Sequence, residues 1–74
     1  MAEPTYIERK IRAHRGLPAP ALRRALRQSA GLTQEDLAGA IGVRRESVSR
    51  WETGLRTPRG RLLAAYTELL EAIK

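Results

Sequence analysis

The feature that most constrains the fold is residues 33–54, TQEDLAGAIGVRRESVSRWETG, which have the apolar spacing of two short helices joined by a tight turn. Leu37 and Ile41 lie four residues apart and share one face of the first helix. Gly42 can adopt a positive φ and so reverse the chain. Further small or apolar residues complete the pattern: Ala38, Val43, Val48 and Trp51. Together they predict a helix-turn-helix.

Specific residues mark the ends of this unit and of its neighbours. The hydroxyl of Thr33 is placed to accept a hydrogen bond from the amide of Asp36 and so to cap the first helix of the pair. Pro20 is favoured at a first helical position and Gly31 is typical of the residue after a last turn, so another helix precedes the pair. We expect an all-α bundle of four helices, over about residues 20–30, 34–41, 45–53 and 60–73.

Periodicity assigns faces to the first and last of these helices. The inner residues of the first are predicted to be Leu22, Ala25, Leu26 and Ser29. The residues predicted to point elsewhere are Arg23, Arg24, Arg27 and Gln28. The apolar stripe of the last is predicted to be Leu62, Tyr66, Leu69 and Ile73. Leu63 and Leu70 widen this stripe beyond what a small core needs, so they either cover an N-terminal helix or form the seam of a homodimer.

Composition excludes several classes of function. The chain has 74 residues, no Cys and a single His, so a disulfide framework or a thiolate metal site has no ligands. No apolar run approaches the ~20 residues of a membrane-spanning helix, and the N-terminus lacks the apolar core of a signal peptide. No nucleophile–base pair or phosphate loop is visible, so we expect no catalytic residues, no metal and no cofactor. We expect a cytoplasmic protein.

The net charge of +6 is concentrated in one part of the chain. Residues 44–61 contain six arginines, two glutamates and no lysine. Arginine suits bidentate recognition of phosphate and of guanine edges better than lysine does. Only three residues are aromatic, which is few for a surface that stacks single-stranded bases. The predicted partner is therefore double-stranded DNA.

The outward face of the second helix of the pair carries the residues predicted to read bases. A helix fits the major groove, where Arg bonds guanine and Glu accepts from the cytosine amino group. The base-contacting candidates are Arg45, Glu46, Ser49 and Arg50. The phosphate-contacting candidates are Thr33, Gln34, Arg44, Ser47, Thr53, Arg56 and Arg59. The alternative is a solvated face on which Glu46 pairs with Arg50 one turn away.

A basic segment, residues 1–17, precedes the helix-turn-helix domain of residues 18–74. The spacing of a capping box at its start predicts a short helix over about 5–14. This helix either docks on the core through Ile7 and Ile11 or belongs to an arm that follows the DNA backbone.

Arg27 and Glu52 carry opposite charges in core-adjacent sequence. Glu52 follows the core residue Trp51 at the end of a basic helix, where an unpaired carboxylate would repel phosphate. We therefore predict an ion pair between Arg27 and Glu52 that joins the first and third helices. The alternative is two unrelated surface charges.

The segment LRQSAGLTQEDLAGAIGVRRESVSRWETG resembles the Cro/cI repressor-type (XRE) helix-turn-helix family. The resemblance covers about residues 20–73 and implies a lambda-repressor-like bundle, an Arg27–Glu52 pair and a DNA-backbone contact from Gln34. It also implies that Arg45, Glu46 and Arg50 face bases. One departure is Arg44, since relatives usually have a capping Ser or Thr there, and it predicts a looser or shifted start of the second helix.

The function that these features predict is sequence-specific binding of double-stranded DNA by a transcriptional regulator, repressor-like and of phage or mobile-element origin. Homodimerisation through the terminal helix, at Leu63 and Leu70, is one form that such a regulator could take. The alternative is a protein-interaction module, such as an antitoxin or a recombinase-accessory (excision) factor, that binds a partner through its terminal helix.

Overall fold

Four α-helices follow one another along the chain in this computed structural model, which describes residues 5, 7, 8 and 16–74. They are α1 (Pro20–Ser29), α2 (Gln34–Ile41), α3 (Arg45–Thr53) and α4 (Gly60–Ala72). The described residues contain no strand, so the predicted all-α bundle is confirmed, with bounds within a residue of those expected. None of the helices is long and apolar enough to cross a membrane in the described ranges.

The helix ends follow the predicted capping chemistry. Pro20 begins α1, and Gly31, at φ 71°, reverses the chain after it. The Thr33 hydroxyl accepts from the Asp36 amide at 3.0 Å, while an Asp36 carboxylate oxygen accepts from the Thr33 amide at 2.8 Å. This reciprocal pair begins α2, which ends at Gly42 with φ 90°. Gly31 and Gly42 are two of the four described residues with a positive φ, and all four are glycines because a Cβ is strained in that conformation.

The core lies between α2, α3 and α4. Its buried members are Leu37, Ala38, Val48, Trp51, Tyr66 and Leu70. The rings of Trp51 and Tyr66 lie 4.8 Å apart between centroids and are tilted by 42°, a favourable aromatic geometry. Ala38 is buried where the helix-turn-helix pair packs, as its small side chain predicted. The core therefore holds the inner face of α3 and leaves its outer face to solvent.

The predicted inner face of α1 is wrong. Leu22 is 49% exposed, and Ala25 and Ser29 are also exposed. Arg23 and Arg27, predicted to lie off this stripe, are buried, with Leu26 half-buried between them. The burial of Arg27 agrees with its predicted pair with Glu52. The physical reason is that α3 offers hydrogen-bond acceptors to this face of α1, and arginine side chains can reach them.

The predicted stripe on α4 also needs correction. Leu63 and Leu70 are 3% and 1% exposed, whereas Leu62, Leu69 and Ile73 are only half-buried. The centre of the buried face is therefore Leu63, Tyr66, Thr67 and Leu70. Since Leu63 and Leu70 are buried within the chain, they are not available as the seam of a homodimer.

The N-terminal segment falls mostly outside the described residues, which include neither Ile11 nor most of the helix predicted over about 5–14. The predicted capping box at its start is present. The Glu8 amide donates to the Thr5 hydroxyl at 3.2 Å, and the Thr5 amide donates to the Glu8 carboxylate at 3.4 Å. Ile7 is 68% exposed, so it does not dock on the core as one alternative required.

Replacing Tyr66 with phenylalanine is expected to raise the free energy of unfolding by about 1 kcal/mol. The Tyr66 hydroxyl is buried without a hydrogen-bond partner among the described residues, and burial raises the pKa of this phenol to about 12. Phenylalanine removes the unsatisfied group and keeps the ring against Trp51. Urea unfolding followed by Trp51 fluorescence measures the change. A loss of stability would mean that the hydroxyl has a partner after all.

Candidate nucleic-acid interface

Helix α3 is joined to α1 by a buried ion pair. Arg27 donates through Nε to Glu52 Oε2 at 2.6 Å and through Nη2 to Glu52 Oε1 at 3.0 Å. Its third group, Nη1, donates to the Leu32 carbonyl at 2.9 Å. The Glu52 side chain is only 2% exposed. This fork joins α1, α3 and the turn before α2, and it is the Arg27–Glu52 pair expected from the sequence.

The pKa of each partner in the ion pair is shifted in the direction that favours its charged form. Burial acts to raise the pKa of Glu52, but hydrogen bonds from Arg27 and Gln34, with the charges of Arg27 and Arg24, outweigh it and hold the pKa below its usual value. The hydrogen bond that Arg27 donates to Glu52 raises the pKa of Arg27, against the opposing effect of burial. Both groups therefore stay ionised at neutral pH.

A hydrogen-bonded chain runs from this pair to the outer surface of α3. Gln34 Nε2 donates to Glu52 Oε1 at 3.1 Å, and Gln34 Oε1 accepts from Arg45 Nη1 at 3.4 Å. Arg45 Nη2 in turn lies 3.3 Å from Glu46 Oε1. The predicted phosphate contact Gln34 is thus already bonded inside the protein, where its amide links the buried carboxylate to Arg45.

The outer face of α3 presents the predicted base-contacting residues. Arg45, Glu46 and Arg50 are exposed, and Ser49 is half-buried. Glu46 pairs with Arg45, its neighbour in sequence, and not with Arg50 as the solvated alternative required. Within the described part of the chain Arg50 forms no ion pair, so its guanidinium is free for a ligand.

The start of α3 is not shifted, although Arg44 replaces the expected cap. Arg44 lies at the N-cap with extended backbone (φ −80°, ψ 152°) and no capping hydrogen bond from its side chain. Its carbonyl accepts from the Ser47 amide at 3.0 Å, which closes the first turn. The Arg44 side chain is exposed and remains free to reach a phosphate.

Two clefts flank α3, and they divide the predicted phosphate-contacting residues. The first lies beside the start of α2 and includes Thr33, Gln34 and Thr53. The second lies beside the α3–α4 loop and includes Ser47, Arg56 and Arg59. Arg45 lines the first cleft and Arg50 the second. The exposed face of α3 that carries Arg45 and Arg50 therefore lies between two polar clefts, while Arg44 lines neither.

The net positive charge of the described residues is concentrated in residues 44–61. Outside residues 44–61, the described body (residues 16–43 and 62–74) has four basic and four acidic residues, which balance. The net positive charge of residues 16–74 therefore comes from residues 44–61, which run from the residue before α3 to the start of α4. Because Glu52 is neutralised by Arg27, the exposed surface of this part is more basic still.

Two arginines of α1 belong to the site but were not assigned to it from the sequence. Arg24 lines the first cleft and is exposed. Arg23 donates through Nε to the Pro18 carbonyl at 2.7 Å and through Nη1 to the Trp51 carbonyl at 2.9 Å. The only sequence signal was their spacing from Arg27, by three and four residues, which places them on neighbouring faces of one helix.

The fold and the site define the class of protein. A short helix held at a tight turn, with exposed arginines between two polar clefts, is a DNA-binding helix-turn-helix. The chain belongs to the Cro/cI repressor-type (XRE) helix-turn-helix family, since a family model described as Helix-turn-helix matches residues 24–72, about two thirds of its length. No curated protein and no solved structure matches the chain.

The described residues contain no cluster of side chains that could hold a metal ion.

Proposed function

We propose that this protein is a sequence-specific transcriptional regulator, repressor-like, that inserts α3 into the major groove of double-stranded DNA. The observation that carries the proposal is the difference between the inner and outer sides of α3. Its inner side is fixed by the core and by the Arg27–Glu52 fork, while Arg50 stands exposed and unpaired on its outer side. A rigid helix with an exposed, unpaired guanidinium group suits the reading of base edges.

Specificity is assigned to three side chains on the outer face of α3. Arg45 and Arg50 each suit a bidentate contact with guanine O6 and N7, and Glu46 suits the amino group of cytosine. Each bidentate contact discriminates against a wrong base by about 1–3 kcal/mol. Ser49 is half-buried, so it reaches only a base that approaches the helix closely.

Affinity is assigned to the residues on both sides of α3. Arg56 and Arg59 lie on one side, Thr33 and Thr53 lie on the other, and Arg44 lies at the helix start. Phosphate contacts of this kind fix the register of the helix on the duplex without reading its sequence. If two copies bind, their half-sites are expected to lie ~34 Å apart, one turn of DNA. The surface joining such copies is not the one formed by Leu63 and Leu70, which are buried.

Replacing Arg45 with alanine and replacing Arg56 with alanine are expected to have different effects on binding. The bound sequence is first selected from a random pool of duplexes. Arg45→Ala then weakens binding to the selected duplex by about tenfold and leaves binding to a random duplex nearly unchanged, because it removes a base contact. Arg56→Ala weakens binding to both duplexes alike, because it removes a phosphate contact. Fluorescence anisotropy at one fixed salt concentration measures all four affinities.

Two results would contradict these assignments. Failure of the unaltered protein to select any sequence would overturn the proposed function. Equal losses on selected and random duplexes for Arg45→Ala would remove Arg45 from the base-reading set and leave the function standing. The alternative of a protein-interaction module relied on a wide apolar face of α4, and it loses that support because the centre of this face is buried within the chain.

A further inference from the structure

Arg23 is a buried cation that the proposed function has not yet used. It extends from α1 toward the last turn of α3, where Nη1 donates to the Trp51 carbonyl at 2.9 Å, and its Nε donates to the Pro18 carbonyl at 2.7 Å. The described residues supply it with no carboxylate partner. It lies just outside residues 24–72, which the family model matches.

The position of this guanidinium is unusual in energetic terms. Burial of a charge without an opposite charge is costly, and burial accordingly lowers the pKa of Arg23. The two carbonyls recover part of that cost, and the one on Trp51 belongs to the negative end of the α3 dipole. An apolar side chain of similar length would fill the same space without the cost of burying a charge. Stability alone is therefore a poor account of Arg23.

The geometry indicates a different role. Arg23 and Arg27 lie one turn apart on α1, and they bond to Trp51 and Glu52, which are consecutive on α3. Next to them Gly54 lies so close to α1 that a Cβ there would come within 3.2 Å of Pro20. The end of α3 is thus attached to α1 at successive points. Hydrogen bonds at two positions on a helix restrict its tilt, whereas a hydrogen bond at one position does not.

We propose that Arg23 is a positioning residue that fixes the tilt of α3 on α1 and thereby sets which bases Arg45 and Arg50 reach. The inference rests on the proposed function, since it concerns the same helix. Base contacts are directional and depend on this tilt, whereas contacts between exposed arginines and phosphates tolerate a change of angle. Loss of Arg23 should therefore reduce specificity and not general affinity.

The test replaces Arg23 with methionine and measures the ratio of affinities for the selected and random duplexes. We expect this ratio to fall about tenfold, with binding to the random duplex unchanged and the urea midpoint equal to or above that of the unaltered protein. Partial unfolding lowers both affinities by the same factor, so a purely structural role leaves the ratio unchanged. Arg24→Met is the matched control, because it removes a neighbouring but exposed charge and should leave the ratio unchanged.

A second substitution distinguishes the effect of the two hydrogen bonds donated by Arg23 from the effect of its charge. Arg23→Lys keeps the charge, but a single ammonium group cannot donate to two carbonyls in the manner of the guanidinium fork, so the ratio should stay reduced. An unchanged ratio for Arg23→Met, or a ratio fully restored by Arg23→Lys, would overturn the positioning role. Either result is distinct from failure of the proposed function, in which the unaltered protein itself selects no sequence.

Discussion

Replacing Arg27 with alanine is expected to lower the free energy of unfolding by about 3 kcal/mol or more. The substitution leaves the Glu52 carboxylate buried, 2% exposed, with only the Gln34 amide as a remaining side-chain hydrogen-bond donor among the described residues. It also removes the donor that satisfies the Leu32 carbonyl. A core of this size rarely supplies more than about 3–5 kcal/mol, so the variant should lie near its unfolding midpoint at 25 °C.

Urea denaturation followed by circular dichroism measures this loss, and a double substitution controls for its cause. Arg27→Met combined with Glu52→Leu removes both charges and fills the space with apolar groups, so it should recover most of the lost stability. A double variant as unstable as Arg27→Ala would show that packing, and not an uncompensated charge, was responsible. Exposed Arg45→Ala should leave the midpoint nearly unchanged.

The local features of the fold were predictable because single residues determine them. The capping pair of Thr33 and Asp36 and the left-handed Gly31 and Gly42 follow from side-chain and backbone chemistry within a few residues. The helix-turn-helix followed from apolar spacing alone. These predictions did not require knowledge of how the helices pack against one another.

The faces of α1 and α4 were not predictable in the same way. Periodicity places apolar residues inward, and it therefore assigned Leu22 to the core and Arg23 to solvent. In the structure Leu22 is exposed and Arg23 is buried, because the Trp51 carbonyl and the Glu52 carboxylate lie against the side of α1 that carries Arg23 and Arg27. These acceptors belong to residues 25 or more positions away in the sequence, so the hydrophobic pattern of α1 does not indicate them.

For the site, the residue types and the Arg27–Glu52 pair were predictable, but the other connections were not. Arg45, Glu46 and Arg50 are exposed on one helix, as their spacing suggested. That Gln34 bonds to both Glu52 and Arg45 depends on how α2 lies against α3, and a sequence does not contain that information. The same is true of the cleft to which Arg24 contributes.

Binding to DNA is expected to weaken about 40-fold for each bound protomer when the salt concentration rises from 50 to 200 mM. Three exposed arginines assigned to phosphates are responsible, namely Arg44, Arg56 and Arg59. Each phosphate neutralised contributes about −0.9 to the slope of log affinity against log salt, so the slope should be about −2.7. Affinity for a random duplex, measured by anisotropy over a salt series, gives this slope directly.

Single substitutions show whether the slope arises from the assigned residues. Arg56→Ala should make it shallower by about 1, because one counterion fewer is released. Arg61→Ala is the matched control, since Arg61 is exposed on α4, carries the same charge and lines neither cleft beside α3. If both substitutions changed the slope equally, the protein would be attracting DNA through its overall charge. Phosphates would then not be held at the two clefts, and the orientation proposed for α3 in the groove would lose its support.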